Sequence, residues 1–186
     1  MNLIYLDMYW SYGNPHWYRE TKQVKTEKVM VWAGIFNEHV IGPYFFESNV
    51  DAQSYLEMLT NFLVPELNRL GFDCRRIWFQ QDGAPAHFAS TVRNWLNENF
   101  ANWISRGGII NWPTRSPDLT PLDFLLWGHI KSKVYEEESP NLQHLSDRIV
   151  MAFRSITPLM LKNVHDSVLQ RIGKCIDVEG GHVEIN

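Results

Sequence analysis

The chain has 186 residues, 45% of them hydrophobic and 13% aromatic, with eight tryptophans. That composition excludes an intrinsically disordered polypeptide and suits a single domain, residues 1–186, with a sizeable core. Seventeen basic against 21 acidic side chains leave a net charge of −4, which argues against DNA binding by bulk attraction alone.

The charge is unevenly spread. Residues 1–68 carry 4 basic and 8 acidic groups, residues 69–133 carry 8 and 5, and residues 134–186 carry 5 and 8. The middle third is therefore basic. No run of eighteen apolar residues and no leader pattern after Met1 is present, so neither a membrane span nor secretion is expected. Cys74 and Cys175 lack CxxC neighbours and the histidines are scattered, which points to a reduced intracellular protein without a zinc site.

In chain order, "KVMVWAGIF" (28–36) and "HVIGPYFFE" (39–47) predict an antiparallel hairpin turning at Asn37-Glu38. Asp51 can cap a helix over 52–70, in which Tyr55, Leu56, Leu59, Leu63 and Leu67 recur at helical spacing and Pro65 should kink or shorten the element. "RIWFQQD" (76–82) predicts a short strand ending in Asp82, followed by the breakers Gly83 and Pro85. A helix is expected over 89–100, with Val92, Trp95, Leu96 and Phe100 on one face. "ANWISRGG" reads as a loop and "GGIINWP" (107–113) as a further short strand.

"TPLDFLLWGHIKSKV" predicts a helix from 121. Two amphipathic helices near 142–156 and 158–177 follow, with Asn141 and Thr157-Pro158 as their start signals. Their apolar positions are Leu142, Leu145, Ile149, Phe153 and Ile156, then Leu161, Val164, Val168 and Ile172. The succession predicts a mixed α/β layer fold.

Two acids stand out. Asp82 lies at the carboxyl end of a strand, where open α/β sheets bind ligands, although an Asx-turn would also explain it. Asp123 falls in the first helical turn, where an acid favours the helix dipole by about 0.3–1 kcal/mol. It also shares the apolar stripe of Trp127, Ile130 and Val134, where an unpaired carboxylate costs several kcal/mol. A divalent cation shared by Asp82 and Asp123 would resolve that conflict. Two-metal phosphodiester chemistry normally asks for a third acid. Asp118, in "SPDLTP", reads more simply as a turn or cap residue, and His87 either as a helix-start residue or as a neighbour of Asp82. No GxSxG elbow or glycine-rich phosphate loop is present.

"QQDGAPAHF" followed by "NWPTRSPDLTPLDFLLWG" resembles the catalytic domain of mariner-superfamily transposases, members of the DDE group. "YWSYGNPHWYRE", "VMVWAGIF", "IGPYFFE", "KSKVY" and "CIDVEGGHVE" extend the resemblance over nearly the whole chain. It implies an RNase H-like mixed sheet flanked by helices, with three carboxylates holding two Mg²⁺ or Mn²⁺ ions. Asp82 matches the second acid and Asp123 the third. The first acid is expected upstream of Met1, because Asp7 stands only two residues before "YW", out of register. The resemblance thus implies an N-terminally truncated catalytic domain, lacking part or all of the first strand and the helix-turn-helix region. Such a nuclear protein would act on transposon-end DNA, as a possible homodimer, and would be inactive alone. The alternative is a non-catalytic DNA-binding or dimerisation module.

Overall fold

A computed structural model describes residues 29–112, 116–137 and 139–181. Strand β1 (Met30–Phe36) pairs antiparallel with β2 (His39–Phe46), with Phe36 opposite His39. The two-residue turn between them puts Asn37 at a φ of 51°, a left-handed conformation that asparagine tolerates and this turn class requires. The expected hairpin is present.

Both faces of that hairpin are covered, which is why its strands read as continuous apolar runs. Trp32, Phe36, Ile41, Tyr44 and Phe46 face one core; Val31, Ala33, Ile35, Val40 and Phe45 face another. Val40 and Tyr44 are an even number of residues apart yet face opposite cores. A bulge explains this: Trp32 pairs with Tyr44 but Gly34 with Ile41, so β2 carries one extra residue and changes phase there. Gly42, at φ +110°, sits in the bulge, where a Cβ would come within 3.0 Å of the Trp32 carbonyl.

The first core is closed by helices α1 (Ala52–Met58) and α2 (Val64–Arg69). Asp51 caps α1 through a capping box, accepting from the Ser54 N–H at 2.8 Å while the Ser54 hydroxyl accepts from the Asp51 N–H at 3.0 Å. Pro65 does not break the run. A π-helical stretch, Leu59–Leu63, links the two helices, and its wider turn admits the proline ring one residue later.

Strands β3 (Trp78–Gln80), β4 (Asn102–Ser105) and β5 (Ile110–Asn111) form a parallel sheet in that order. Between β3 and β4 run α3 (Pro85–Phe88) and α4 (Ser90–Asn99), separated by an extended Ala89. Helix α4 buries Val92 and Leu96, with Phe100 just beyond its end. Strand β4 corrects the sequence reading, which took "ANWISRGG" as a loop, whereas the further strand expected over 107–113 is present as β5. Its inward positions are Trp103 and Ser105, both buried, and a buried serine hides the alternation. The glycines belong to the turn after β4. Gly107 has a φ of +68°, and a Cβ on Gly108 would lie 2.8 Å from the Trp103 ring.

On the opposite face of the hairpin, α5 (Trp127–Val134) and α6 (Leu142–Arg154) build the second core, with Trp127 edge-on to Phe153. Asn141 and Thr157 cap as expected, the former accepting from the His144 N–H and the latter from the Met160 N–H. Helix α7 (Pro158–Asp177) buries Leu161 and Val164 but leaves Ile172 exposed, so only its first half packs as the periodicity predicted.

Candidate functional site

A cavity of about 270 Å³ separates the two sheets. It is lined by the β1 residues Val31 to Phe36 and by Ile77 to Gln81, together with Asp82, His87, Thr120, Asp123 and Trp127. The two acids singled out in the sequence thus line one cavity, although 40 residues lie between them.

Asp82 stands two residues beyond the end of β3. Its Oδ1 accepts the Ala84 N–H at 3.0 Å, so the Asx-turn is real, and lies 2.6 Å from His87 Nδ1. Turn formation and cavity lining are not alternatives: the same turn fixes the carboxylate toward the cavity. Burial raises the Asp82 pKa, the hydrogen bonds from His87 and the Ala84 N–H lower it, and on balance the group lies below the ordinary carboxylate range. Burial lowers the His87 pKa, opposed by its bond to Asp82. The state we assign is a carboxylate accepting the Nδ1–H of a neutral imidazole.

His87 is itself held. Its ring stacks on Tyr55 at 4.1 Å, and its carbonyl accepts from Gln81 Nε2 at 3.1 Å. Gln81 Oε1 in turn accepts the Tyr55 hydroxyl at 2.8 Å. Tyr55, Gln81 and His87 are all buried. Sequence reasoning gave Tyr55 a core role and Gln81 none. The available signal was a glutamine inside a short strand, directly before the acid. On the other side, the Ser105 hydroxyl donates to the Asp82 carbonyl, tying β4 to the site.

Asp123 is carried differently. The helix expected from 121 begins as a π-helical segment, Leu122–Leu126, and becomes α-helical only at Trp127. Thr120 does not cap it through its side chain, because its hydroxyl donates to the Ser116 carbonyl instead. The Thr120 carbonyl accepts from the N–H groups of Asp123 and Phe124. Leu126, Trp127, Ile130 and Val134 are buried as the stripe predicted, and Asp123 is half-buried at its head. Asp118 lies in the preceding turn, where its carbonyl accepts from Arg171 Nη1; it is not among the described residues lining the cavity. Arg171 also lies over the Phe124 ring at 4.2 Å, so α7 braces the turn that presents Asp123.

Two carboxylates lining one cavity, one held ionised, suit a hard cation that completes its shell with water and phosphate oxygens. Among the described residues no group of three or more His, Cys, Asp or Glu side chains is close enough to hold a metal ion. His87 commits its Nδ1 to Asp82 and so serves to position that acid. Asp7 lies outside the described residues.

No family model matches the chain. It is 28% identical over 155 residues to the transposable element Tcb1 transposase of Caenorhabditis briggsae, covering 82% of this chain and 52% of that protein. To the Tc3 transposase of Caenorhabditis elegans it is 27% identical over 157 residues, covering 83% and 45%. The chain therefore spans about half the length of the curated relatives it matches. Among solved structures, the catalytic domain of Mos1 mariner transposase superposes with a TM-score of 0.73 at 23% identity, covering 85% of this chain and 77% of that one. The Mos1 paired end complex with Mg gives 0.74 at 22% identity, covering 98% and 53%. At such identities the structural likeness speaks for the fold, which is the expected RNase H-like mixed α/β architecture, and the relatives speak for descent. This chain is a homologue of the Tc1/mariner transposases with the fold of the Mos1 catalytic domain.

Proposed function

We propose that this chain is catalytic-domain material of a DNA transposase, whose Asp82 and Asp123 hold Mg²⁺ or Mn²⁺ for cleavage and transfer of DNA strands in the nucleus. The observation that carries the reading is that Asp82 and Asp123, with 40 residues between them in sequence, line one cavity. These are the two positions that the transposase-like motifs single out. Mos1 has been solved as a paired end complex with Mg and as a paired-end complex with left transposon end, which supports a divalent ion and transposon-end DNA as partners here. When bound, such an ion polarises the scissile phosphate and the attacking oxygen.

The chain's own residues do the positioning. His87 donates to Asp82 and keeps that carboxylate oriented, while Tyr55 and Gln81 keep His87 from turning. The Leu122–Leu126 turn carries Asp123, which lines the same cavity. Among the described residues the two carboxylates are fewer than a two-ion site needs, and ligands that act as a unit lose activity out of proportion to their number. Cleavage by the chain unaided is accordingly expected to be weak or absent.

Calorimetric titration with Mn²⁺ tests the site: binding should vanish in both Asp82→Asn and Asp123→Asn, and binding indifferent to both would sink it. Incubation with supercoiled plasmid and Mn²⁺ tests the activity. Nicking by the parent chain that disappears in Asp82→Asn would overturn the inference of inactivity. A second reading, a DNA-holding module without cleavage, is favoured by the basic middle third. It predicts DNA affinity that falls steeply with salt and is indifferent to Asp82→Asn.

A further inference from the structure

We propose that Arg93 and Arg106 form a phosphate-binding pair that holds the DNA backbone at the lip of the Asp82 site. Arg93 comes from α4 and Arg106 from the turn after β4, and both guanidinium groups pack on one ring: Phe88, at 4.7 and 4.6 Å from its centroid. Phe88 is the residue after His87, which lies against Asp82. The loop is shaped for this arrangement. A Cβ on Gly107 would come within 2.9 Å of the Phe88 ring and 3.4 Å of Arg93 Nη1, and one on Gly83, next to Asp82, within 3.2 Å of the Arg106 side chain. Glycine at these places lets the turn close onto ring and arginines together.

Among the described residues, neither guanidinium has an ion pair or a hydrogen bond, and Arg93 Nε is buried without an acceptor. The quadrupole of one ring attracts both cations but neutralises neither. Two like charges drawn to one aromatic group and left without a counter-ion among the described residues favour phosphate oxygens as partners. Arginine's planar fork suits phosphate oxygens in particular. Arg106 is exposed and Arg93 half-buried, so one reaches outward while the other anchors the pair. The nearby carboxylates repel a phosphate unless a cation offsets them, so the arginines would supply backbone attraction from beside the acids. Such contacts position a strand without reading its sequence.

This inference rests on the reading of the chain as DNA-handling, and the experiment separates the two. The full chain is titrated with a fluorescein-labelled duplex of about 30 base pairs, by anisotropy, across a salt series. On duplex DNA the log–log salt slope should fall by about 0.9 for each phosphate that is no longer neutralised. Arg106→Gln should remove about one such step, Arg93→Gln with Arg106→Gln about two, and Arg106→Lys should keep most of the slope. Arg106 is exposed, so its single variant stays informative even if the double variant misfolds. Parent binding whose slope is unchanged in Arg106→Gln overturns the pair and leaves the proposed function standing. A parent chain with no salt-dependent binding overturns both.

Discussion

Asp82 and Asp123 face the same cavity, yet the chain holds them by opposite means. Asp82 is fixed by hydrogen bonds: an Asx-turn, His87, and behind them the buried Tyr55–Gln81 pair. Asp123 is carried by a π-helical segment, Leu122–Leu126, whose Leu126 is buried with Trp127 in an apolar core. A polar network specifies direction and fails when one member is removed, because the others are left buried and unsatisfied. An apolar platform specifies position and fails by leaving a cavity. The two walls should therefore respond differently to substitution.

The largest expected effect is on ion binding, where the walls should act alike: Asp82→Asn and Asp123→Asn should each weaken Mn²⁺ binding by about tenfold or more in calorimetry. A variant that binds like the parent would remove its acid from the site. Next in size is the platform. Leu126→Ala should cost about 2–5 kcal/mol in chemical denaturation, since a fully buried side chain leaves a void. Tyr55→Phe should cost less, about 1–3 kcal/mol, by stranding the Gln81 carbonyl. It should also loosen Mn²⁺ binding through His87 and Asp82, which Leu126→Ala should do only in proportion to unfolding. Equal costs with no loss of Mn²⁺ affinity in Tyr55→Phe would erase the distinction between the walls.

The polar wall alone should carry a pH signature. Burial holds His87 below its ordinary value of 6.5, so the unfolded chain binds its proton more readily than the folded one. Stability from this residue is present above that value and falls as pH drops below it, by up to about 1.4 kcal/mol per pH unit. Melting temperatures between about pH 7 and 5 should decline in the parent, and that decline should flatten in His87→Gln. Asp82, with its pKa depressed, contributes above its unfolded value of 3.8 and loses that contribution only at still lower pH, outside this window.

The elements legible in the sequence were those whose signal is local. The hairpin, the caps at Asp51, Asn141 and Thr157, and the helices α6 and α7 follow from turn chemistry and periodicity, which act over a few residues. Both acids were also legible, because each broke a local rule: one closed a strand, the other interrupted an apolar stripe. What escaped was whatever depended on the partner across the fold. Strand β4 reads as a loop until Ser105 is seen donating to the Asp82 carbonyl. Helix breaks at Leu59–Leu63 and Leu122–Leu126 became π turns, because packing on both sides kept the chain helical where propensity alone would have stopped or capped it. Gln81 and Tyr55 look like ordinary strand and core residues until a hydrogen bond spanning 26 residues of sequence joins them.

By itself the sequence determined the kind of domain, the order of most elements and the identity of the two acids, because composition, periodicity and motif are written in neighbouring residues. Only the tertiary structure decided that the acids share a cavity, that His87 serves Asp82, and that Arg93 and Arg106 converge on Phe88. Those outcomes depend on distances between residues far apart in the chain, which are set by the packing of the two cores around the hairpin.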